Sequence, residues 1–291
     1  MNLCIFASDL SVITGHNKWH TPDEITLKIW SRNYPEDFER VKTLWEKQKN
    51  KSTDSIFLTA EEYIEKSSKK NNLNLESLMT KCLNSQNVSE LGTNKKKVLK
   101  QIEKSAVSAT EKKILKECVE NTTNTNFGTK KEKSVIKKIK KINDHVSTPG
   151  QFYTRPVLST PKHQWIIGGR VDGMIEDDTL IEIKNRIYKL FYRLRDYEKI
   201  QIYAYLYILG ITKAKLVENI ARKTTNDQGE EIEDEKDTNI IEIDFSIPYW
   251  QKTIIPKIRS FVRDFESFLK SDEKKMELIS EFSASNAGSD L

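Results

Sequence analysis

Cysteine is scarce in this chain, with three among 291 residues at Cys4, Cys82 and Cys118. Their wide spacing and odd number exclude a disulfide framework and fit a reducing compartment. Histidine is thin as well: His16, His20, His145 and His163 make no ligand set with cysteine partners, which argues against a zinc site. No apolar run approaches the roughly 18 residues of a membrane span. Met1-Asn2-Leu3-Cys4-Ile5-Phe6 lacks the basic start of a signal peptide. A soluble, intracellular protein of cytoplasm or nucleus, with no membrane partner, is expected.

Lysine is plentiful. The formal net charge is +5 and the sequence pI about 8.8, an excess that permits nucleic-acid binding without requiring it. Distribution says more than the sum. Lysines gather at Lys95-Lys96-Lys97, Lys112-Lys113, Lys130-Lys131 and around Lys137, Lys138, Lys140 and Lys141, whereas Glu230, Glu231, Glu233, Asp234, Glu235 and Asp237 crowd one later stretch. A channel lined by the former would attract phosphates, and the latter reads as a loop. The lysines also fit a nuclear-targeting patch or an A/T-rich genome, since Lys, Asn and Ile are abundant together.

Two apolar runs carry charge where core residues are expected: Ile166-Ile167-Gly168-Gly169-Arg170-Val171-Asp172-Gly173 and Leu180-Ile181-Glu182-Ile183-Lys184, separated by Glu176-Asp177-Asp178. They read as a β-hairpin. Side chains alternate along a strand, so Glu182 and Lys184 share one face while Ile181 and Ile183 share the other. With an odd-length turn centred on Asp177, Asp172 lies opposite Glu182, their Cβ atoms roughly 5 Å apart. An even-length turn would shift the register by one and part them. Facing carboxylates repel unless a cation sits between them, and carboxylate oxygens suit Mg²⁺, with Mn²⁺ as a substitute. The lysine beside them could orient or deprotonate an attacking water, or offset charge developing on a phosphate. On a solvated hairpin the same residues would make only a surface ion pair.

Flanking segments add two pieces. From Gly128 to Ile142 an amphipathic helix is predicted with the stripe Val135, Ile139, Ile142 and Val146, and the acid Glu132 falls on that stripe. From Asp196, as N-cap, to Gly210, as terminator, a buried helix is predicted that sets Gln201 and Tyr205 four apart on one face.

In this order, G-x-x-x-E (Gly128 to Glu132), Asp172, E-x-K (Glu182 to Lys184) and Q-x-x-x-Y (Gln201 to Tyr205) resemble the motifs of the PD-(D/E)xK nuclease superfamily. The likeness is to its lambda-exonuclease-like and RecB-like branch, which includes the YqaJ-type viral recombinases. The resemblance implies that Asp172, Glu182 and the Ile183 carbonyl bind the ion and that Glu132 helps to hold it or its waters. It implies further that Lys184 positions the attacking water while Gln201 and Tyr205 support the site or the substrate strand. Ala7-Ser8-Asp9-Leu10 with Gly15-His16-Asn17-Lys18-Trp19 is similar to the family's phosphate-contacting segment, which makes Ser8, with Lys130, Lys131 and Arg170, a candidate DNA contact. No arginine stands between Met1 and Ser8, so recognition of a 5′ phosphate is not implied. No cysteine follows Cys118, which excludes the iron–sulfur subtype.

The activity implied is Mg²⁺-dependent hydrolysis of DNA, as an exonuclease on duplex ends in recombination, repair or replication. A restriction-like or structure-specific endonuclease is the nearest alternative, and a non-catalytic DNA-binding protein of the same fold is the alternative of another class. Relatives suggest a homo-oligomer and a single-strand annealing or recombination partner. The fold expected is α/β, a mixed sheet flanked by helices, with a restriction-endonuclease-like core and a helical insertion. Its parts are residues 1–47 as N-terminal helices, 48–126 as a Lys/Asn-rich helical insertion, 127–282 as the nuclease core and 283–291 as a frayed tail. Within the first, Thr21-Pro22-Asp23-Glu24 predicts a capped helix start and Tyr34-Pro35 a break. Late in the chain, strands are predicted at 214–220 and 240–245, then one long helix bearing Ile254, Ile258, Phe261, Phe265 and Phe268.

Overall fold

A computed structural model describes residues 1–49, 58–142, 145–176, 178–186, 189–220, 224–225, 231–232 and 238–287. Strand β1 (Asn2–Phe6) and the short α1 (Leu10–Ile13) precede α2 (Pro22–Asn33). Helix α2 starts where predicted: Thr21 accepts from the Glu24 N–H, and the Glu24 carboxylate accepts from the Thr21 N–H. Tyr34 ends it, and Pro35 opens α3 (Pro35–Lys49), since proline needs no amide donor in a first turn.

Helices α4 (Ala60–Lys70), α5 (Glu76–Leu83) and α6 (Val88–Lys104) pack with the first half of α7 (Ala109–Ile142). Their apolar stripes enclose a core of their own, including Leu75, Leu91, Val98, Ile102, Leu115 and Val119. Helix α7 runs 34 residues, about 50 Å at 1.5 Å per residue. It passes residue 126 without a break, and its second half brings Val135 and Ile136 onto a sheet. One continuous element therefore joins the helical lobe to that sheet. The side chains of Lys131, Lys137, Lys138, Ile139, Lys140, Lys141 and Ile142 lie outside the described residues. Val146, predicted to extend this helix's stripe, instead lies in strand β2 (Val146–Ser147).

The class is mixed α/β, and the strands form two mixed sheets rather than one. Parallel to β1 runs β4 (Gln164–Gly169), flanked on its other edge by the antiparallel β3 (Tyr153–Ser159). The second sheet has β6 (Thr179–Arg186) at its centre, with β5 (Gly173–Ile175) antiparallel on one side and β7 (Lys213–Ile220) parallel on the other. Its edges are β2 and β10 (Thr238–Asp244). The run Ile166–Gly173, predicted as one strand of a hairpin, is thus divided: the chain leaves the first sheet at Gly169 and enters the second at Gly173. Between β7 and β10 the short β8 (Thr224–Thr225) and β9 (Glu231–Ile232) pair antiparallel, and the rest of the predicted acidic loop is outside the described residues.

Helix α8 (Asp196–Leu209) crosses over between β6 and β7, as a parallel connection requires. Asp196 was predicted as its N-cap but is its first helical residue, one place after the cap Arg195. Gly210 ends it in the left-handed conformation, with φ of 74°. After β10 come α9 (Ile247–Tyr249), one π turn over Trp250–Ile254 and α10 (Ile255–Phe268), all part of the main core. The single final helix predicted is broken at 269–271, and α11 (Asp272–Ala287) continues into the segment predicted to fray. Against β6, Ile181 and Ile183 face α7 while Leu180 belongs to the main core.

Candidate metal centre

The β5–β6 hairpin fixes the acids. Gly173 pairs with Ile181, Met174 with Leu180 and Ile175 with Thr179, leaving the three-residue turn 176–178 between the last pair. That turn is odd, and Glu176 enters it in the left-handed region with φ of 51°. One step beyond Gly173–Ile181 in the same register, Asp172 stands opposite Glu182. Here β5 has ended and the Ile183 N–H has lost its strand partner, so Asp172 Oδ2 accepts it at 2.7 Å. A side chain thus completes the ladder, which holds the carboxylate against the sheet.

Glu182 is buried, 3 % exposed, on the face of β6 that turns toward α8. Its Oε1 accepts from Lys184 Nζ at 2.7 Å, and its buried Oε2 has no hydrogen-bond partner among the described residues. Lys184 also donates to Gln201 Oε1 at 3.2 Å, and Gln201 Nε2 donates to the Tyr205 hydroxyl at 3.3 Å. Residues from β6 and α8 therefore form one hydrogen-bonded chain from acid to phenol. Gly169 makes room for it: a Cβ there would lie 2.5 Å from Tyr205 Cε1. The paired glycines in an apolar strand were the available signal for this close approach, and sequence reasoning did not use it.

Glu132 reaches the group from the second half of α7, half-buried, close enough for Glu182 and Lys184 to act on its charge. Burial, then the negative charge of Glu182, raises its pKa. Asp172 is pushed up to about 8, first by burial and then by Glu182, with the Ile183 N–H opposing. Burial disfavours the Lys184 ammonium, but Glu182 and Asp172 more than offset this, and its pKa lies above the ordinary lysine value. An ammonium that already donates two hydrogen bonds to acceptors is suited to holding charge and orienting a water, and not to removing a proton. Fully ionised, three carboxylates beside one ammonium would leave two negative charges uncompensated in a partly buried place, which is why the fold favours a protonated Asp172 unless a cation is present.

These residues fit a hard divalent ion in charge and in donor chemistry, and the unpartnered Glu182 Oε2 is an oxygen whose burial calls for a cation. Among the described residues, no three Asp, Glu, His or Cys side chains close a cage. Mg²⁺ is compatible with that, because it keeps several waters and takes one or two protein carboxylates.

The expected DNA contacts are distributed differently. Ser8 is exposed just past β1, where the Ala7 N–H donates to the Gly168 carbonyl at 2.9 Å, so it stands at the end of the sheet that leads into Asp172. Arg170 is exposed two residues before Asp172. Lys130 turns away and donates to the Leu83 carbonyl of the helical lobe. The Lys131 side chain lies outside the described residues.

Sequence reasoning missed a buried triad next to the site. Arg186, two residues after Lys184 on the same face of β6, pairs with Glu198 Oε1 at 2.7 Å and Glu218 Oε1 at 2.7 Å, and both glutamates have zero exposure. The signal was there in part: β6 has charge at alternate positions 182, 184 and 186.

No family model matches the chain, and no curated protein matches it. Among solved structures, it is similar to an alkaline exonuclease from Laribacter hongkongensis, at 11 % identity and a TM-score of 0.38, over 72 % of this chain and 92 % of that one. The same enzyme in complex with dAMP gives 12 % identity and a TM-score of 0.37, over 72 % of this chain and 92 % of that one. A phage-related exonuclease from Haemophilus somnus 129PT gives 13 % identity and a TM-score of 0.35, over 70 % and 94 % of the two chains.

Proposed function

We propose that this protein is a divalent-metal-dependent deoxyribonuclease acting on the ends of duplex DNA. The reading is carried by one observation: Glu132, Asp172 and Glu182 influence one another's charge beside Lys184, with Glu182 Oε2 buried and unpartnered. Acids on three separate elements gathered beside one ammonium serve packing poorly, because each costs desolvation that a single lysine does not offset. They do serve a charged ligand.

Asp172 and Glu182 would hold the ion, with Glu132 and the Ile183 carbonyl beside it. When bound, Mg²⁺ supplies a positive charge for the scissile phosphate and acidifies water next to it. The protein's share is positional. The Ile183 N–H fixes the Asp172 carboxylate, Gln201 and Glu182 fix the Lys184 ammonium, and Lys184 orients the attacking water and offsets charge on the phosphate oxygens. Ser8 and Arg170 stand at the same end of the sheets, where they can meet the DNA backbone. End-processing of this kind belongs to recombination, repair or replication, and an annealing partner or a homo-oligomer is consistent with it.

The test is a digestion time course on end-labelled linear duplexes, with closed-circular plasmid alongside, in Mg²⁺, in Mn²⁺ and in chelator. Shortening of linear DNA in either ion, absent in chelator, is the expected result. Nicking of the circle would replace an exonuclease by an endonuclease, and absence of cleavage under every ion would remove the enzymatic reading.

A further inference from the structure

Trp19 is 69 % exposed, while Trp30, Trp45, Trp165 and Trp250 are all at 4 % or less. Tyr192 is likewise 69 % exposed and adopts φ of 55°, a region costly for an aromatic residue. A run of aromatic and guanidinium contacts joins them. Trp19 meets the Tyr197 ring edge-on at 5.4 Å, and Arg195 donates to the Tyr197 hydroxyl at 2.9 Å. The Arg195 guanidinium lies 3.4 Å from the centre of the Phe191 ring, and that of Arg186 lies 4.7 Å from it. Tyr192 follows Phe191 directly. Its N–H donates to Glu218 Oε2 at 2.9 Å, and the Phe191 N–H donates to the same oxygen at 3.2 Å.

The arrangement is held from below. Glu218, buried and paired with Arg186, accepts both amides, which keeps the strained Tyr192 backbone in place and its ring in solvent. It also borders the candidate centre. Tyr197 and Gln201 are four apart on α8 and so share a face, and Gln201 accepts from Lys184. Lys18, Lys189 and Arg193, all exposed, lie beside the two rings in sequence.

An exposed indole set against Tyr197 and an exposed phenol whose backbone is held by buried Glu218, with cations beside them and Tyr197 one helical turn from Gln201 of the site, have the chemistry of a base-stacking surface. We infer that Trp19 and Tyr192 form a platform for unpaired nucleotides of the substrate strand. The inference deepens the nuclease reading and rests on it for the identity of the strand. Stacking tolerates any base, because every base has a π face, so the platform would bind single strands with little sequence preference.

The experiment uses the full chain in chelator, titrated with a deoxythymidine oligonucleotide of about ten nucleotides while tryptophan emission is followed. Quenching is expected, because the one exposed indole would stack on a base. In Trp19→Phe the quench should vanish with binding largely kept, as read by anisotropy of a labelled oligonucleotide. Trp19→Ala and Tyr192→Gly should each weaken that binding roughly tenfold. Glycine accepts the left-handed backbone, so Tyr192→Gly removes the ring without unfolding the loop. Unquenched emission together with unchanged affinity in both variants overturns the platform. Cleavage of linear duplex in Mg²⁺ is scored separately. Cleavage with unaltered binding in the variants removes the platform and leaves the nuclease, whereas quenching and weakened variants without cleavage support the platform and remove the nuclease.

Discussion

Asp172→Asn should make the protein more stable while abolishing its cleavage of DNA. In the absence of divalent ions the Asp172 carboxyl is pushed from 3.8 up to about 8, by burial and then by Glu182. That gap corresponds to roughly 6 kcal/mol against the charged form once pH exceeds the upper value. Asparagine carries no charge, and its side-chain oxygen can still accept the Ile183 N–H. It also relieves Glu132, but it takes an attractive neighbour from the Lys184 ammonium, so a net gain of about 2 kcal/mol is expected. For a chain of this size that is about 3 °C in melting temperature. The sign with pH follows, because the fold disfavours the ionised acid. Wild-type stability in chelator should fall as pH climbs from about 4 to about 8 and then level off, and the slope should be shallower in the variant, where only Glu132 is still held above its ordinary range. Thermal melts of both proteins at about pH 5 and about pH 8 read the difference. Added Mg²⁺ should raise the melting temperature of the wild type more than that of the variant at the same ion concentration. Equal melting temperatures at the higher pH, or full cleavage by the variant, would refute the reasoning.

Lys184→Met should lower cleavage at least a hundredfold, the scale of removing a donor aimed at developing charge. DNA affinity should change little, as single-turnover rates and anisotropy would show together. Arg186→Met strands Glu198 and Glu218 without their shared cation, so urea unfolding should reveal a loss of about 3–5 kcal/mol. Gly169→Ala places a methyl against the Tyr205 ring, which must move; a cost of about 1–3 kcal/mol and a fall in cleavage are expected from urea unfolding and digestion assays.

The register of the hairpin was legible up to the parity of its turn, because the period of two is written locally and the turn length is not. The pairing of Gly173 with Ile181 is the odd-turn alternative of the two that the spacing of Asp172 and Glu182 left open. The division of Ile166–Gly173 between two sheets was not legible. An apolar run looks the same whether it pairs once or changes partners, and β1, which with the neighbouring β3 claims its first half, lies far away in sequence. The capping box of α2 and the glycine end of α8 are likewise local signals, whereas the break at 269–271 carries neither Gly nor Pro to announce it. Glu132 was conspicuous as an acid on an apolar stripe, but Arg186 was not, because its meaning depends on Glu198 and Glu218 arriving from other elements.

The central claim is that acids of β6, α7 and the approach to β5 hold one hard cation. Electron paramagnetic resonance of Mn²⁺ added to the wild type, Asp172→Asn and Glu182→Gln measures this without any substrate. One bound ion in the wild type, weakened tenfold or more in each variant, is the expected result. Mn²⁺ that stays free, or that binds all three proteins alike, would contradict it.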